Sequence, residues 1–349
     1  MAQSSVLILE KLKEIIFSDE IILKYKMNNA DFTRNRKQPF GRVLLFMLNL
    51  LRKSLVIEID NYISELHSRL ENYNVKSVTS SAFVQRRKKI NPAVFKYLSS
   101  VIVDNFYIQS NKNIKYFRGF RVLAVDGSRI ALPCTKELKE AFGEAKNQTQ
   151  VCVVQARVSV LYDVLNHLIL DSTLANVGIA ERELALIHAE HWKDRDLIIY
   201  DRGYPSFDFK YEHNRLGVDY LIRASTTYSK VVKSFVESKK KTSIVVISPQ
   251  KRHSFQDKGY DINETLRVRL IRIDLPGNEV EVLMTSLLDS QEYPGSMFKE
   301  LYFLRWGVEI FYDELKNKLK LEYFTGYSKT SILQDFYCAI FVSNIQCFA

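Results

Sequence analysis

Two short uncharged runs, Val122-Leu-Ala-Val125 and Leu197-Ile-Ile-Tyr200, lead straight into an aspartate, Asp126 or Asp201, with a glycine one or two residues further on. Apolar runs of this length without polar alternation suit strands covered on both faces. Covering a sheet on both faces takes helices, so the runs point to an α/β architecture. Gly127, and Gly203 with Pro205, predict that each strand stops at its aspartate. Both carboxylates then stand at the carboxyl ends of buried strands, where open α/β sheets hold their ligands. Either aspartate alone would serve equally well as a turn former.

A third acid lies on a predicted helix. At about 100° per residue, Tyr302, Arg305, Glu309 and Lys316 fall within an arc of roughly 60°. Leu301, Leu304, Val308, Phe311, Leu315 and Leu319 line a separate stripe. One face packs and the other reaches out. A solvated Arg305–Glu309 pair at i,i+4 would explain part of that face without any function.

Taken together, the Asp126-Gly-Ser block, the Asp201-Arg-Gly-Tyr block and the spacing Tyr302-x2-Arg305-x3-Glu309-x6-Lys316 resemble insertion-sequence DDE transposases. The branch resembled carries a Tyr-Arg-Glu-Lys signature and a β-rich insertion before the catalytic Glu. Glu181-Arg-Glu-Leu-Ala-Leu186 and Tyr220-Leu-Ile-Arg-Ala224 fit the same family, and the likeness runs from about residue 30 to the end. It implies a ribonuclease-H-like catalytic core in which Asp126, Asp201 and Glu309 are catalytic and hold the metal. Tyr302, Arg305 and Lys316 would bind DNA phosphates, including those of a hairpin made during excision. Family members of this kind also stack a flipped base on a tryptophan of the insertion. Here the tryptophans are Trp192 and Trp306, neither within residues 226–290.

The chemistry suits the residues. Cutting or joining a phosphodiester uses two hard cations roughly 3.5–4 Å apart, one at the attacking oxygen and one at the leaving oxygen. Mg²⁺ takes oxygen ligands and keeps several waters, so three carboxylates and the scissile phosphate suffice. Two Mg²⁺ ions are the expected cofactors, with Mn²⁺ able to substitute. Arg305 supplies a fork and Lys316 a point charge for flanking phosphates.

Charge distribution points to the same partner. Residues 1–118 hold 20 Lys+Arg against 10 Asp+Glu, and residues 119–349 hold 30 against 30, so the net +10 sits in the first third. A basic module beside a balanced one is the electrostatic footprint of phosphate binding. Periodicity in that third is helical, with an apolar helix over 40–51 and an amphipathic one over 56–70. Basic clusters Arg34-Asn-Arg-Lys37 and Arg86-Arg-Lys-Lys89 flank them. Residues 1–115 are read as a helical, basic, DNA-binding region. Residues 116–225 are the first part of the catalytic domain, in the order β-β-β-α-β-α-β. Between 226 and 291 alternation takes over, as in Leu266-Arg-Val-Arg-Leu-Ile-Arg-Ile273, and marks the β-rich insertion. Lys230, Lys233, Lys239, Lys240, Lys241, Lys251, Arg252 and Lys258 make it a second basic surface. Residues 292–349 complete the catalytic domain.

Other features are set aside. His188 and His191 lack the i,i+4 spacing of a zinc helix and are expected to be exposed at a helix end. Cys134, Cys152, Cys338 and Cys347 form no C-x-x-C pair, which suits inert thiols in a reducing compartment. Neither a membrane span nor a secretory leader is evident, so a bacterial cytoplasmic, nucleoid-associated location is expected. The partners expected are double-stranded DNA, as terminal inverted repeats and target, and a second copy of the chain in a homodimer. The apolar helix over 331–345 ends at Gln346-Cys-Phe-Ala349 without cap or polar tail, as a truncated C-terminus would. A truncated, catalytically inactive DNA-binding inhibitor of transposition is therefore the alternative reading. A nuclease or resolvase of the same fold, lacking strand transfer, is a third.

Overall fold

The computed structural model describes residues 2–34, 38–49, 54–69, 78–109, 114–146, 152–249 and 255–347. Its N-terminal third is helical: α1 (Ala2–Ile16), α2 (Asp19–Tyr25), α3 (Phe40–Leu48), α4 (Leu55–Arg69), α5 (Ser80–Arg87) and α6 (Ala93–Gln109). Ser18 and Thr79 start α2 and α5 by accepting the N–H of the third residue on, which satisfies a donor the helix leaves free. These helices bury Phe40, Leu44, Phe83 and Phe95 in one apolar cluster, joined from far along the chain by Cys338 and Phe341.

Of the basic clusters expected to meet DNA, residues 35–37 lie outside the described residues. Arg87 departs from its expected role. It is buried, and its guanidinium bonds Gln334 Oε1 at 2.9 Å, Thr325 Oγ1 at 2.5 Å and Asp335 Oδ1 at 2.6 Å. Its place on the inner face of α5 makes it a structural clasp.

The strands are β1 (Arg121–Ala131), β2 (Glu144–Lys146), β3 (Cys152–Asp163), β4 (Leu168–Asn176), β5 (Asp196–Tyr200), β6 (Asp219–Ala224), β7 (Thr242–Ile247), β8 (Leu266–Asp274) and β9 (Val280–Thr285). Among the described residues they form one sheet in the order β2-β3-β1-β5-β6-β9-β8-β7, with β4 also on β3. β1 runs antiparallel to β3 and parallel to β5, and β5 parallel to β6. The stretch β4-β3-β1-β5-β6 is the ribonuclease-H-like arrangement. The strands β7, β8 and β9 of the stretch expected as a β-rich insertion continue the same sheet through the β6–β9 pairing, and α10 (Lys230–Glu237), which alternation did not announce, accompanies them.

Helices cover both faces, as the uncharged runs require. Val122, Ala124, Leu197 and Ile199 pack toward α7 (Lys136–Phe142), α11 (Met297–Phe303), α12 (Trp306–Asp313) and α13 (Lys329–Gln346). Leu123, Val125, Ile198 and Tyr200 point the other way, toward α8 (Glu181–Ile187) and α9 (Phe207–Leu216). Among the described residues, no helix is long and apolar enough to cross a membrane.

His188 is fully buried, not exposed at a helix end. It follows α8 in a 3₁₀ turn, with Nδ1 2.7 Å from Asp171 Oδ2 and Nε2 2.9 Å from Ser159 Oγ.

Candidate active site

β1 does not stop at Asp126. It runs on to Ala131, with Asp126, Gly127 and Ser128 opposite Val160, Ser159 and Val158 of β3. Antiparallel pairing tolerates the glycine because the ladder uses backbone groups alone. The parallel pairing with β5, however, ends at Ala124↔Ile199. Asp126 thus overhangs its parallel neighbour, and Asp201 is the first residue beyond β5. Both aspartates stand at the carboxyl end of one parallel pair, though only one of them ends its strand.

The third segment is not one straight helix. α11 closes in tight i→i−3 bonds, Leu304 N–H to Leu301 O at 3.2 Å and Arg305 N–H to Tyr302 O at 3.1 Å. α12 then opens into a π turn over Glu314–Lys318, where Leu319 N–H reaches Glu314 O at 3.0 Å. Tightening at one end and widening at the other shifts the four residues off a common outward face. Tyr302 and Arg305 are buried, and Glu309 and Lys316 are half-buried.

Bonds from this segment nevertheless run to the strand blocks. Tyr302 OH donates to Asp201 Oδ1 at 3.3 Å, and Lys316 Nζ to Ser128 Oγ at 2.7 Å. Tyr312 OH donates to the backbone carbonyl of Asp126 at 2.9 Å. Arg305 Nη2 meets Glu309 Oε1 at 2.6 Å, while Arg305 Nε is buried without a partner.

Electrostatics tie the three acids together. Burial pushes the Asp126 carboxyl up to about 6, and the charges of Glu309 and Asp201 add to the rise. The Gly127 N–H, 2.9 Å from Asp126 Oδ1, and the Arg305 guanidinium act against it. Asp126 thus sits in a half-buried, negatively charged place whose counter-ion Arg305 already pairs with Glu309.

Ligand-type oxygens of Asp126, Asp201 and Glu309 are not all within 4.8 Å of one another. Among the described residues, the tighter group is Asp171, Glu190 and His191. Asp171 is already engaged there by Lys96 Nζ at 2.9 Å and by His188. Burial alone would raise its carboxyl, yet the His188 and Lys96 bonds hold it below its ordinary range. An ammonium in contact with the would-be ligand opposes a second cation, and the cluster reads as an ion network anchored on the buried Asp171.

Sequence reasoning named neither Tyr312 nor Glu181 for this site. A Cβ added at Gly127 would lie 3.0 Å from Glu181 Cγ, and one added at Gly203 3.7 Å from Glu181 Oε2. Glu181, held by Arg157 at 2.7 Å, therefore fills the space that the two glycines leave beside both aspartates. The available signal was the pair of glycines, each next to an aspartate.

Residues 117–345 match the family described as Transposase DDE domain. Over 261 residues the chain is 24% identical to the transposase InsG for insertion sequence element IS4 of Escherichia coli (strain K12), an alignment covering 72% of this chain and 56% of that protein. The chain thus spans about half the length of this curated relative. It is also similar to a solved structure of piggyBac transposase in a synaptic complex with hairpin DNA, with TM-score 0.48 and 8% identity over 95% of this chain and 73% of that one. Since the family match begins just ahead of β1, ends within α13 and takes in Asp126, Asp201 and Glu309, the chain belongs to the DDE transposase domain family.

Proposed function

We propose that this chain cuts DNA at the ends of an insertion sequence and joins the freed end to target DNA, with Asp126, Asp201 and Glu309 as the metal-holding set. The observation that carries the reading is the convergence at Asp126 of β1, whose carboxyl feels the charges of Asp201 at the end of β5 and Glu309 on α12, with Arg305 as the cation among them. An all-oxygen set with surplus negative charge fits Mg²⁺ or Mn²⁺. When bound, two such ions would activate the attacking water or 3′-hydroxyl and stabilise the leaving oxygen.

The chain's own residues supply the rest. Tyr302 and Tyr312 hold Asp201 and the Asp126 backbone in place through their hydroxyls. Arg305 carries a buried Nε–H without a partner, a spare donor for a phosphate oxygen. Lys316, whose ammonium rests on Ser128, would supply a point charge for a phosphate beside the cut. The basic N-terminal third would hold the terminal inverted repeats and the active assembly would be a homodimer. A hairpin intermediate would use the same three phosphate-binding residues.

A denaturing-gel assay of the purified chain, with Mg²⁺ or Mn²⁺, on DNA carrying the sequences that flank its gene tests this reading. Cuts at the element boundary, absent in Glu309→Ala, are expected. Cutting without joining to target DNA would favour a nuclease of the same fold. Binding with no cutting in either protein would overturn the enzyme reading in favour of a DNA-binding inhibitor.

A further inference from the structure

A cavity of about 1140 Å³ opens between α8, α9 and residues 228–232, 245–249, 255, 258 and 260, on the side of the sheet opposite α11–α13. Asp126, Asp201 and Glu309 do not line it. Lys210 on α9 does, and Lys210 is fully buried with no hydrogen-bond partner for its Nζ. The Tyr228 ring centroid lies 5.5 Å from that nitrogen. Burying an ammonium without a partner is among the costliest things a fold can do. Burial pushes Lys210 down to about 7; Asp208 works against the shift and Arg182 adds to it. Asp208 is itself bonded to Lys258, which leaves Lys210 without a counter-ion of its own.

Arg182, exposed, lines the same cavity, so two cations repel each other across it. Aromatic rings form one part of the remaining wall, beside aliphatic side chains and the carboxylates of Glu183, Asp208 and Glu212. Phe207 and Phe255 meet edge to face at 5.1 Å, with Tyr260 4.9 Å from Phe255 and Tyr228 nearby. Drug-sized ligands occupy pockets of about 300–1,000 Å³, so the space is ample.

We infer that this cavity binds a small aromatic anion of nucleoside-monophosphate size, its anionic group held by Lys210 and Arg182 and its ring against the aromatic wall. An entering anion supplies the counter-ion that the fold withholds and returns Lys210 to its charged form. The site is separate from the three carboxylates, so it stands or falls independently of DNA cleavage.

Calorimetric titration of the whole chain, without divalent metal, uses dAMP, deoxyadenosine and inorganic phosphate as probes. dAMP should bind about tenfold or more tightly than either of the others, since a charge-assisted bond and ring contact act together. Lys210→Met keeps the side-chain length and removes the buried charge. It should fold at least as stably as the parent yet lose about tenfold or more in dAMP affinity. Arg182→Gln, on the exposed rim, should fold normally and weaken dAMP severalfold. Equal affinity for dAMP and deoxyadenosine, no measurable dAMP binding, or unchanged dAMP affinity in both variants would overturn the inference.

Discussion

Arg305 shows how much one side chain's surroundings decide. On a solvated helix it would be an i,i+4 partner of Glu309, worth a few tenths of a kcal/mol. In the fold it is buried, with one donor unpaired and the Asp201 and Asp126 charges in reach. Lysine keeps the charge but not the fork. Arg305→Lys is therefore expected to bind element-end DNA within a few-fold of the parent while single-turnover cleavage falls by about tenfold to a hundredfold. His213 gives a prediction about pH. It is fully buried, with Nε2 2.9 Å from Tyr200 OH and Nδ1 3.1 Å from the Val218 carbonyl. Burial pushes its pKa down from 6.5 to about 3. Between those values the unfolded chain takes up a proton that the folded chain refuses, so this contribution is fully present above pH 6.5 and is lost as pH falls toward 3. Urea unfolding at pH 7 and pH 5 should show His213→Gln losing less stability on acidification than the parent.

At the scale of elements, helices and strands here depart from regular geometry where they meet other parts of the fold. β1 continues past its glycine because β3 offers a full antiparallel ladder there, and the segment after α11 changes its winding twice while reaching the strand blocks. Gly41, in α3, marks another such meeting. A Cβ there would lie 2.8 Å from the Phe17 ring and 2.9 Å from the Ile16 carbonyl oxygen. Alanine gains about 1 kcal/mol of helix propensity over glycine. Overpacking against backbone costs about 1–3 kcal/mol, because a carbonyl cannot rotate away as a side chain can. Gly41→Ala should therefore lower the unfolding temperature in a thermal melt; an increase would mean that α1 and α3 separate easily.

At the scale of the molecule, α13 is the brace between the helical third and the catalytic sheet. Its Cys338 and Phe341 enter the N-terminal cluster, and Asn344 Nδ2 donates to the Ile169 carbonyl of β4 at 2.8 Å. Arg87 fastens α5 to Gln334 and Asp335 of the same helix, with Thr325 beside them. Removing one partner of a buried ion pair leaves the other uncompensated, at a cost of about 3–5 kcal/mol. Arg87→Met should lower the unfolding free energy in urea by about that much, and adding Asp335→Asn should restore part of it. If the loss stayed below about 1 kcal/mol, the range of an exposed pair, α13 would not be clamped in this way.

The apolar runs, the alternation after residue 226 and the helical periods of the first third were legible in the sequence, because period and length alone distinguish a covered strand from an exposed one. The motif spacings also marked Asp126, Asp201 and Glu309 as one set, and their family is the one that residues 117–345 match. Where β1 ends was not legible, although β5 ends just before Asp201, as the following glycine and proline announce. A glycine stops a strand only if no neighbour pairs with the backbone beyond it, and β3 does so at Gly127. Burial of Arg87, His188 and Lys210 was likewise hidden, since nothing local distinguishes a basic side chain on a core-facing turn from one in solvent. Sequence by itself determined which groups the chain carries and the periods that sort them into strands and helices. Tertiary structure alone decided which of those charges lie out of water and what faces them, because burial and pairing depend on residues brought together from distant parts of the chain.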